Sequence, residues 1–216
     1  MNSKIISVII FISFLLSSCG ADKVHYVNIE TEFGTMKAEL YNSTPLHRDN
    51  FLKLTREGFY NDLLFHRIIQ GFMVQGGDPQ SKGAAPGARL GSGGPGYQLD
   101  AEIGAPHFKG TLAAARTGGP SNPEKRSSGS QFYVVHGSKQ TDQSLDGIQG
   151  MKNLTYNESQ REKYKTLGGA PSLDQDYTVF GELIEGFDVL DKLAAVQKDG
   201  SDRPLQDVKM KVTLAN

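Results

Sequence analysis

The chain has 216 residues, 38% of them hydrophobic, and a formal net charge of -1 at pH 7. This length and hydrophobic content can bury one core, and no shift in composition marks a second domain. The near-neutral balance lacks the basic stripe of a nucleic-acid-binding protein, so we expect no nucleic-acid partner.

The first residues have the pattern of a secretory signal. Lys4 precedes an apolar run over residues 5–16, too short to span a bilayer, and Leu-Ser-Ser-Cys then ends at Cys19. This tetrapeptide resembles the lipobox of bacterial lipoproteins, whose cysteine carries the lipid. We predict a signal peptide over 1–18, a short tether over 19–23 and a lipoprotein anchored to a membrane of the bacterial cell envelope. The alternative for this only cysteine is an ordinary cleaved signal or a free thiol.

A hairpin and a helix follow the tether. Apolar and polar residues alternate on both sides of Glu32-Phe33-Gly34, which predicts the hairpin. Thr44 offers an N-cap, with Pro45 at the first helical position and Gly58 as a stop, so we predict a helix over 45–57.

Many short alternating strands with few helices follow, which indicates a sandwich or a closed barrel. The predicted strands are at 64–69, 72–77, 97–101, 111–116, 131–136, 177–184 and 208–214, with a helix at about 186–194.

Two segments depart from this pattern. Residues 79–96 are rich in glycine, and 91–96 match the form of a dinucleotide fingerprint. No hydrophobic strand precedes that motif, Pro95 interrupts it and no helical pattern follows, so we expect no nucleotide. Residues 138–171 are longer than an ordinary loop and include a polar run at 157–165, which predicts an insertion with one short helix.

The segment over 65–78 mixes charge with large apolar side chains in two extended runs. In a strand, Phe65 and Arg67 would share one face, with His66 on the other. An arginine among apolar groups indicates a small binding surface. For His66 we expect a structural hydrogen bond rather than acid-base chemistry.

This segment resembles the signature of the cyclophilin-type peptidyl-prolyl cis-trans isomerases. Three further matches follow in the family's order, at Gly110–Arg116, Gly129–Val135 and Tyr177–Gly181, and the resemblance covers residues 24–216. It implies a mainly β fold, a closed eight-stranded antiparallel barrel capped by two helices, with the substrate on the outer wall.

The resemblance also implies a mechanism. An X-Pro bond resists rotation by roughly 18 to 20 kcal/mol because amide resonance is lost at the twisted geometry. A donor aimed at the proline nitrogen there stabilises the transition state more than either planar state. Arg67 occupies the position that the family uses for this donor.

Other matched positions bind the peptide. Phe72, Met73, Tyr133 and Leu173 match positions that form the proline pocket in the family. Gln75 and Gln131 match amides that orient the peptide, and Ala115 and Arg116 match the strand that pairs with the substrate. Tyr177 matches a site residue that is frequently histidine. Taken singly, the apolar members favour core packing, and only their joint occurrence in ordered motifs favours a site.

The assignment of Leu173 depends on the register of a leucine-aspartate pair, and a rival pair starts at Leu145. In the chosen register Ser172 replaces a large aromatic residue that is associated in the family with tight cyclosporin binding. We therefore expect weak affinity for that drug.

Two functions are open. The first is a peptidyl-prolyl isomerase that assists the folding of exported proteins, and the alternative is a non-catalytic proline-peptide-binding or chaperone module on the same scaffold. Both predict a monomer that binds proline-containing segments of unfolded or exported proteins and contacts the lipid bilayer through acylated Cys19, with no metal and no cofactor. A serine hydrolase is disfavoured because the chain has no Gly-x-Ser-x-Gly elbow.

Overall fold

The structure, a computed structural model, describes residues 23–215, which form eleven strands and four α-helices. The strands are β1 (His25–Thr31), β2 (Gly34–Leu40), β3 (Leu63–Leu64), β4 (Arg67–Ile69), β5 (Met73–Gly76), β6 (Gln98–Leu99), β7 (Thr111–Ala114), β8 (Ser127–Ser128), β9 (Phe132–Val135), β10 (Val179–Glu185) and β11 (Lys209–Ala215). The helices are α1 (Pro45–Arg56), α2 (Asp142–Lys152), α3 (Glu158–Thr166) and α4 (Phe187–Ala194).

Nine strands form one antiparallel sheet in the order β3-β11-β1-β2-β10-β7-β9-β5-β4, and β6 pairs separately with β8. The outermost strands, β3 and β4, are separated in the chain only by Phe65 and His66. The sheet therefore curls so far that only these two residues connect its two edge strands. β3 and β4 do not pair with each other. The predicted mainly β, antiparallel barrel is confirmed, with eight strands if β3 and β4 count as one interrupted strand.

The barrel interior holds the main core. Alternate residues of a strand face opposite sides, so Val27 and Ile29 of β1 point inward, as do their counterparts on the neighbouring strands. Helix α1 adds Phe51, whose ring packs edge-on against Phe132 at 5.2 Å between centroids. Helix α4 adds Leu190 and other apolar residues. These two helices match those predicted at 45–57 and at about 186–194 to within a residue at each end.

Helix α1 begins where it was predicted to begin, but its cap differs. The Thr44 side chain does not cap the helix, and its hydroxyl instead lies 3.4 Å from the Tyr41 carbonyl oxygen. The carboxylate of Glu102 accepts hydrogen bonds from the backbone N–H groups of Leu46 and His47, each at 3.0 Å. A negative charge at this end also suits the helix dipole.

The insertion contains two helices, α2 and α3, where one short helix was predicted. Helix α2 begins with a capping box between Thr141 and Ser144. Its two glycines, Gly147 and Gly150, weaken the helical pattern of the sequence, because glycine disfavours helix interiors.

A separate apolar cluster attaches the insertion to the barrel. Leu145, Tyr156 and Tyr164 of the insertion pack around Phe108, and all four are buried. Gly169 forms antiparallel bridges with Phe108 and with Ser138, so the two ends of the insertion meet.

The predicted signal peptide and Cys19 lie outside the described residues. Within residues 23–215, no helix combines the length and the apolar content needed to cross a bilayer.

Candidate active site

A second apolar cluster lies on the outer face of the sheet. Val74, Val134 and Leu112 point into the barrel core, so their neighbours Met73 and Tyr133 point outward. This outer cluster also includes residues from the turns at the ends of the strands, namely Phe72, Leu173 and Tyr177.

Strand register brings the polar site residues to the same place. Gln75 on β5 pairs with Arg67 on β4 and with Tyr133 on β9, and Tyr133 pairs in turn with Ala113 on β7. These four residues form one row across four neighbouring strands. The guanidinium predicted to act on the substrate therefore stands beside the predicted proline pocket.

A hollow of about 120 Å³ opens on this surface. It is lined by Arg67, Phe72, Met73, Gln75, Ala115, Arg116, Tyr133, Leu173 and Tyr177. Nine of the ten site residues predicted from sequence thus surround one space. The tenth, Gln131, lies behind Gln75 and accepts a hydrogen bond from its amide at 3.1 Å.

The two arginines of the hollow differ in their surroundings. Arg116 donates from Nε to the carbonyl oxygen of Asp176 at 2.6 Å and from Nη1 to that of Thr117 at 3.1 Å. Its guanidinium also lies 4.7 Å from the ring centroid of Tyr177. The guanidinium of Arg67 has no hydrogen-bond or ion-pair partner among the described residues. Its donors are therefore available to a bound peptide.

Asp176 holds the rim beside Arg116. Its carboxylate lies 2.8 Å from the ammonium of Lys125 and also forms an ion pair with Lys152 of the insertion. Burial alone would raise the pKa of Asp176, but these two hydrogen bonds outweigh it and lower the pKa to about 2.

Two expectations about the signature segment are wrong. Phe65 does not share the face of Arg67, because the strand is interrupted at Phe65-His66 and the Phe65 ring lies in the barrel core. His66 is 5% exposed, yet neither ring nitrogen makes a hydrogen bond of normal geometry with any described residue. Burial lowers the pKa of His66.

The two leucine-aspartate pairs lie in different places. Leu145 is a fully buried residue of α2 inside the insertion, whereas Leu173 lines the hollow. Ser172 is exposed and does not line the hollow. The weak cyclosporin affinity stays a prediction.

A second, polar pocket of about 550 Å³ adjoins the hollow and shares Gln75, Ala115 and Arg116 with it. Its far wall is the glycine-rich segment that mimics a dinucleotide fingerprint. The buried carboxylate of Asp78 fixes that segment by accepting hydrogen bonds from the backbone N–H groups of Gly91 and Gly93. Sequence reasoning missed this role of the glycine-rich segment as a wall of the pocket.

Sequence reasoning also missed two buried residues behind the hollow. The Nε2 atom of His107 lies 3.1 Å from the hydroxyl of Tyr133, and its Nδ1 atom lies 2.8 Å from Asp174. No motif links these three positions in the sequence. Burial raises the pKa of the Tyr133 hydroxyl well above its ordinary value.

Among residues 23–215, no three or more His, Cys, Asp or Glu side chains cluster in a way that could hold a metal ion.

Comparison with known proteins agrees with this architecture. The model of the cyclophilin type peptidyl-prolyl cis-trans isomerase family matches residues 26–214. A peptidyl-prolyl cis-trans isomerase of Arabidopsis thaliana is 32% identical over 185 residues, which are 85% of this chain and 89% of that protein.

Solved structures are similar as well. The crystal structure of a cyclophilin type peptidyl-prolyl cis-trans isomerase from Cryptosporidium parvum gives a TM-score of 0.64 at 26% identity and covers 90% of this chain and 99% of that one. The structure of the same protein in the presence of the dipeptide Ala-Pro gives 0.62 at 27% identity, with 88% and 99% covered.

Proposed function

The chain belongs to the family of cyclophilin-type peptidyl-prolyl cis-trans isomerases and has its activity, and we propose that Arg67 is the residue that lowers the barrier to rotation. The observation that carries this proposal is the guanidinium of Arg67 on the wall of the apolar hollow, which has no partner within residues 23–215. Arg116, which lines the same hollow, has its donors engaged by backbone carbonyls.

The chemistry requires only a well-placed donor. As the X-Pro bond twists, resonance is lost and the proline nitrogen regains a lone pair. A guanidinium N–H directed at that nitrogen binds the twisted state more tightly than the planar states, so it accelerates rotation in both directions. One such donor in a partly dry site is worth roughly 10²- to 10³-fold in rate.

The rest of the hollow holds the peptide. Phe72, Met73 and Leu173 offer apolar surface for the proline ring, and Tyr133 lines the same hollow from β9. The amide of Gln75 also lines the hollow, where it can align the chain beside the proline. The backbone N–H of Ala115 donates to the Gln131 carbonyl oxygen at 2.9 Å and its carbonyl oxygen accepts from Ser128 at 2.7 Å, so Ala115 contributes its side chain to the lining. The Ala-Pro dipeptide in the Cryptosporidium parvum structure supports a proline-containing peptide as the ligand class.

The test compares arginine variants in an exchange experiment. Two-dimensional NMR exchange on a short alanine-proline peptide gives the cis-trans rate with and without protein. We expect Arg67→Ala to lose roughly 10²- to 10³-fold in kcat/KM. Arg56→Ala, which removes an exposed arginine at the end of α1, is the matched control and should retain the full rate.

Full activity in Arg67→Ala would reject this role. If Arg67→Ala lost isomerase activity but still protected an unfolding client protein, chaperone-like binding would be separable from catalysis.

We also propose that the isomerase assists exported proteins while anchored to a membrane through lipidated Cys19. The apolar run over residues 5–16 followed by Leu-Ser-Ser-Cys supports this proposal. Mass analysis of the purified mature protein should show acyl chains on residue 19, and Cys19→Ala should release the protein from membranes. A Cys19→Ala variant that stays in the membrane fraction would contradict the proposal, and Arg67→Ala serves as the anchored control.

A further inference from the structure

We infer that the insertion sets the shape of the proline-binding hollow through a buried chain of hydrogen bonds from Tyr164 through Asp174 and His107 to Tyr133. His107 and Asp174 are then positioning residues, because neither lines the hollow. The inference rests on the proposed function of the hollow and gives the insertion a role in it.

The chain centres on one buried carboxylate. Asp174 is 4% exposed and accepts four hydrogen bonds. Its Oδ1 atom accepts from the backbone N–H and from Nδ1 of His107, both at 2.8 Å. Its Oδ2 atom accepts from the hydroxyls of Tyr156 at 2.7 Å and Tyr164 at 2.6 Å. A buried carboxylate with four donors is fully satisfied and holds each donor in a fixed place.

The two tyrosines are donors at all ordinary pH values. Burial, reinforced by the Asp174 carboxylate, raises the pKa of both the Tyr156 and the Tyr164 hydroxyls. Both residues belong to the insertion, Tyr164 on α3 and Tyr156 just before it. Half of the hydrogen bonds to the Asp174 carboxylate therefore come from the insertion.

His107 links the Asp174 carboxylate to Tyr133 at the hollow. The ring is fully buried, and because Nδ1 faces the carboxylate, Nδ1 carries the proton. In the neutral ring Nε2 is then an acceptor, and the Tyr133 hydroxyl is its donor at 3.1 Å. The rings of His107 and Tyr133 also stack, with 13° between their planes. Both contacts fix the Tyr133 ring, which is a wall of the hollow.

The insertion holds the opposite wall as well. Lys152 of α2 donates to the carbonyl oxygen of Asp174 at 2.8 Å, and Asp174 directly follows Leu173 in the chain. Leu173 and Tyr133 both line the hollow. The insertion therefore acts on two walls of the hollow without contributing a residue of α2 or α3 to its lining.

The network also accounts for a tyrosine at residue 133. A buried hydroxyl without a partner is destabilising, so a tyrosine here requires an acceptor, and His107 supplies it. The geometry thus predicts that the effects of Tyr164 on substrate binding pass through the Tyr133 hydroxyl.

The experiment is a double-mutant cycle on the full mature chain. Tyr164→Phe deletes one hydroxyl remote from the hollow, and it is made both in the wild type and in Tyr133→Phe. With the alanine-proline peptide, we expect Tyr164→Phe to raise KM roughly 3- to 10-fold with kcat largely kept, and to have little further effect on KM in Tyr133→Phe.

The control is Tyr60→Phe. Tyr60 is also fully buried, and its hydroxyl lies 3.4 Å from the Ser130 carbonyl oxygen, outside this network. Tyr60→Phe should lower the unfolding midpoint in denaturant without changing KM. Nitrogen NMR of the His107 ring adds a readout independent of activity, since Tyr164→Phe should shift the ring resonances.

An unchanged KM in Tyr164→Phe, or the same rise in KM in both backgrounds, would overturn the inference and leave the role of Arg67 intact. Full activity in Arg67→Ala would instead overturn both, because the hollow would not be the site.

Discussion

Arg67 and Tyr133 flank Gln75 in the sheet, each in register with it from opposite sides. The proposed donor and the pocket wall are therefore held by hydrogen-bonded strands rather than by loops. A strand register that slipped by one residue would turn Arg67 toward the core, because side chains alternate between the two faces. The same pairing that builds the barrel thus fixes the distance between donor and pocket.

Replacing Arg67 by lysine separates charge from geometry. A lysine side chain at this position would keep a positive charge but lose the planar fork of donors. We expect Arg67→Lys to reduce kcat/KM by roughly 10- to 100-fold, less than Arg67→Ala. The free energy of unfolding should stay within about 0.5 kcal/mol of the wild type, since the Arg67 guanidinium bonds to no described residue. Wild-type kcat/KM in Arg67→Lys would show that charge alone is sufficient.

Gln131 is expected to act on binding more than on rotation. Its side-chain amide donates to the Gly93 carbonyl oxygen at 2.7 Å and accepts from Gln75 at 3.1 Å, so it joins the glycine-rich wall to the hollow. Gln131→Leu leaves both groups unpaired, and we expect KM to rise about tenfold. Steady-state kinetics should show a smaller change in kcat. Gln206→Leu, which alters an exposed amide before β11, is the control. A fall in kcat at constant KM would mean that Gln131 acts only in the transition state.

Two glycines of the insertion region should respond to alanine in opposite directions. Gly137 has φ +60°, and a Cβ there would lie 2.4 Å from the Cα of Gly169 where the ends of the insertion meet. We expect Gly137→Ala to lower the free energy of unfolding by about 1–3 kcal/mol. Gly147 lies inside α2 with open space around it, so Gly147→Ala should raise that free energy by up to about 1 kcal/mol. Urea unfolding measures both, and the prediction is wrong if the two changes share a sign.

Strand alternation alone indicated a sandwich or a closed barrel, because it depends only on local patterns. The closed barrel and the outer-wall residues from Arg67 to Tyr177 were implied by the family resemblance that the four ordered motifs carry. The predicted orientation of Phe65 was wrong because strand alternation assumes an unbroken strand. The chain crosses from one edge of the sheet to the other at that point.

Long-range partners were beyond sequence reasoning. Glu102 caps α1 from a distant segment, and the hydrogen bonds of Asp174 to His107 and Tyr164 join segments that no periodicity relates. Such contacts depend on tertiary packing, which a single sequence does not display. Helix α2 was missed for a local reason, since its glycines hide its helical pattern.

His66 predicts an acid-sensitive step in stability. Burial lowers the pKa of His66 below its ordinary value of 6.5, and the ring has no hydrogen bond of normal geometry to compensate for protonation. The unfolded chain therefore binds a proton at a higher pH than the folded chain does. This contribution to stability is complete above pH 6.5 and is lost as the pH falls toward the folded-state pKa, by at most about 1.4 kcal/mol per pH unit for one proton.

Replacing His66 by leucine tests this directly. His66→Leu removes the titrating group and breaks no hydrogen bond, so we expect equal or higher stability at pH 7 and a shallower loss of unfolding free energy between pH 6.5 and pH 5. Urea unfolding at a series of pH values gives the slope for each variant. His47 has a pKa lowered by burial too, although Glu102 opposes the shift, so part of the acid sensitivity should remain. Gln206→Leu, at an exposed position before β11, is the control because it removes no titrating group, and an equal slope in His66→Leu and the wild type would contradict the prediction.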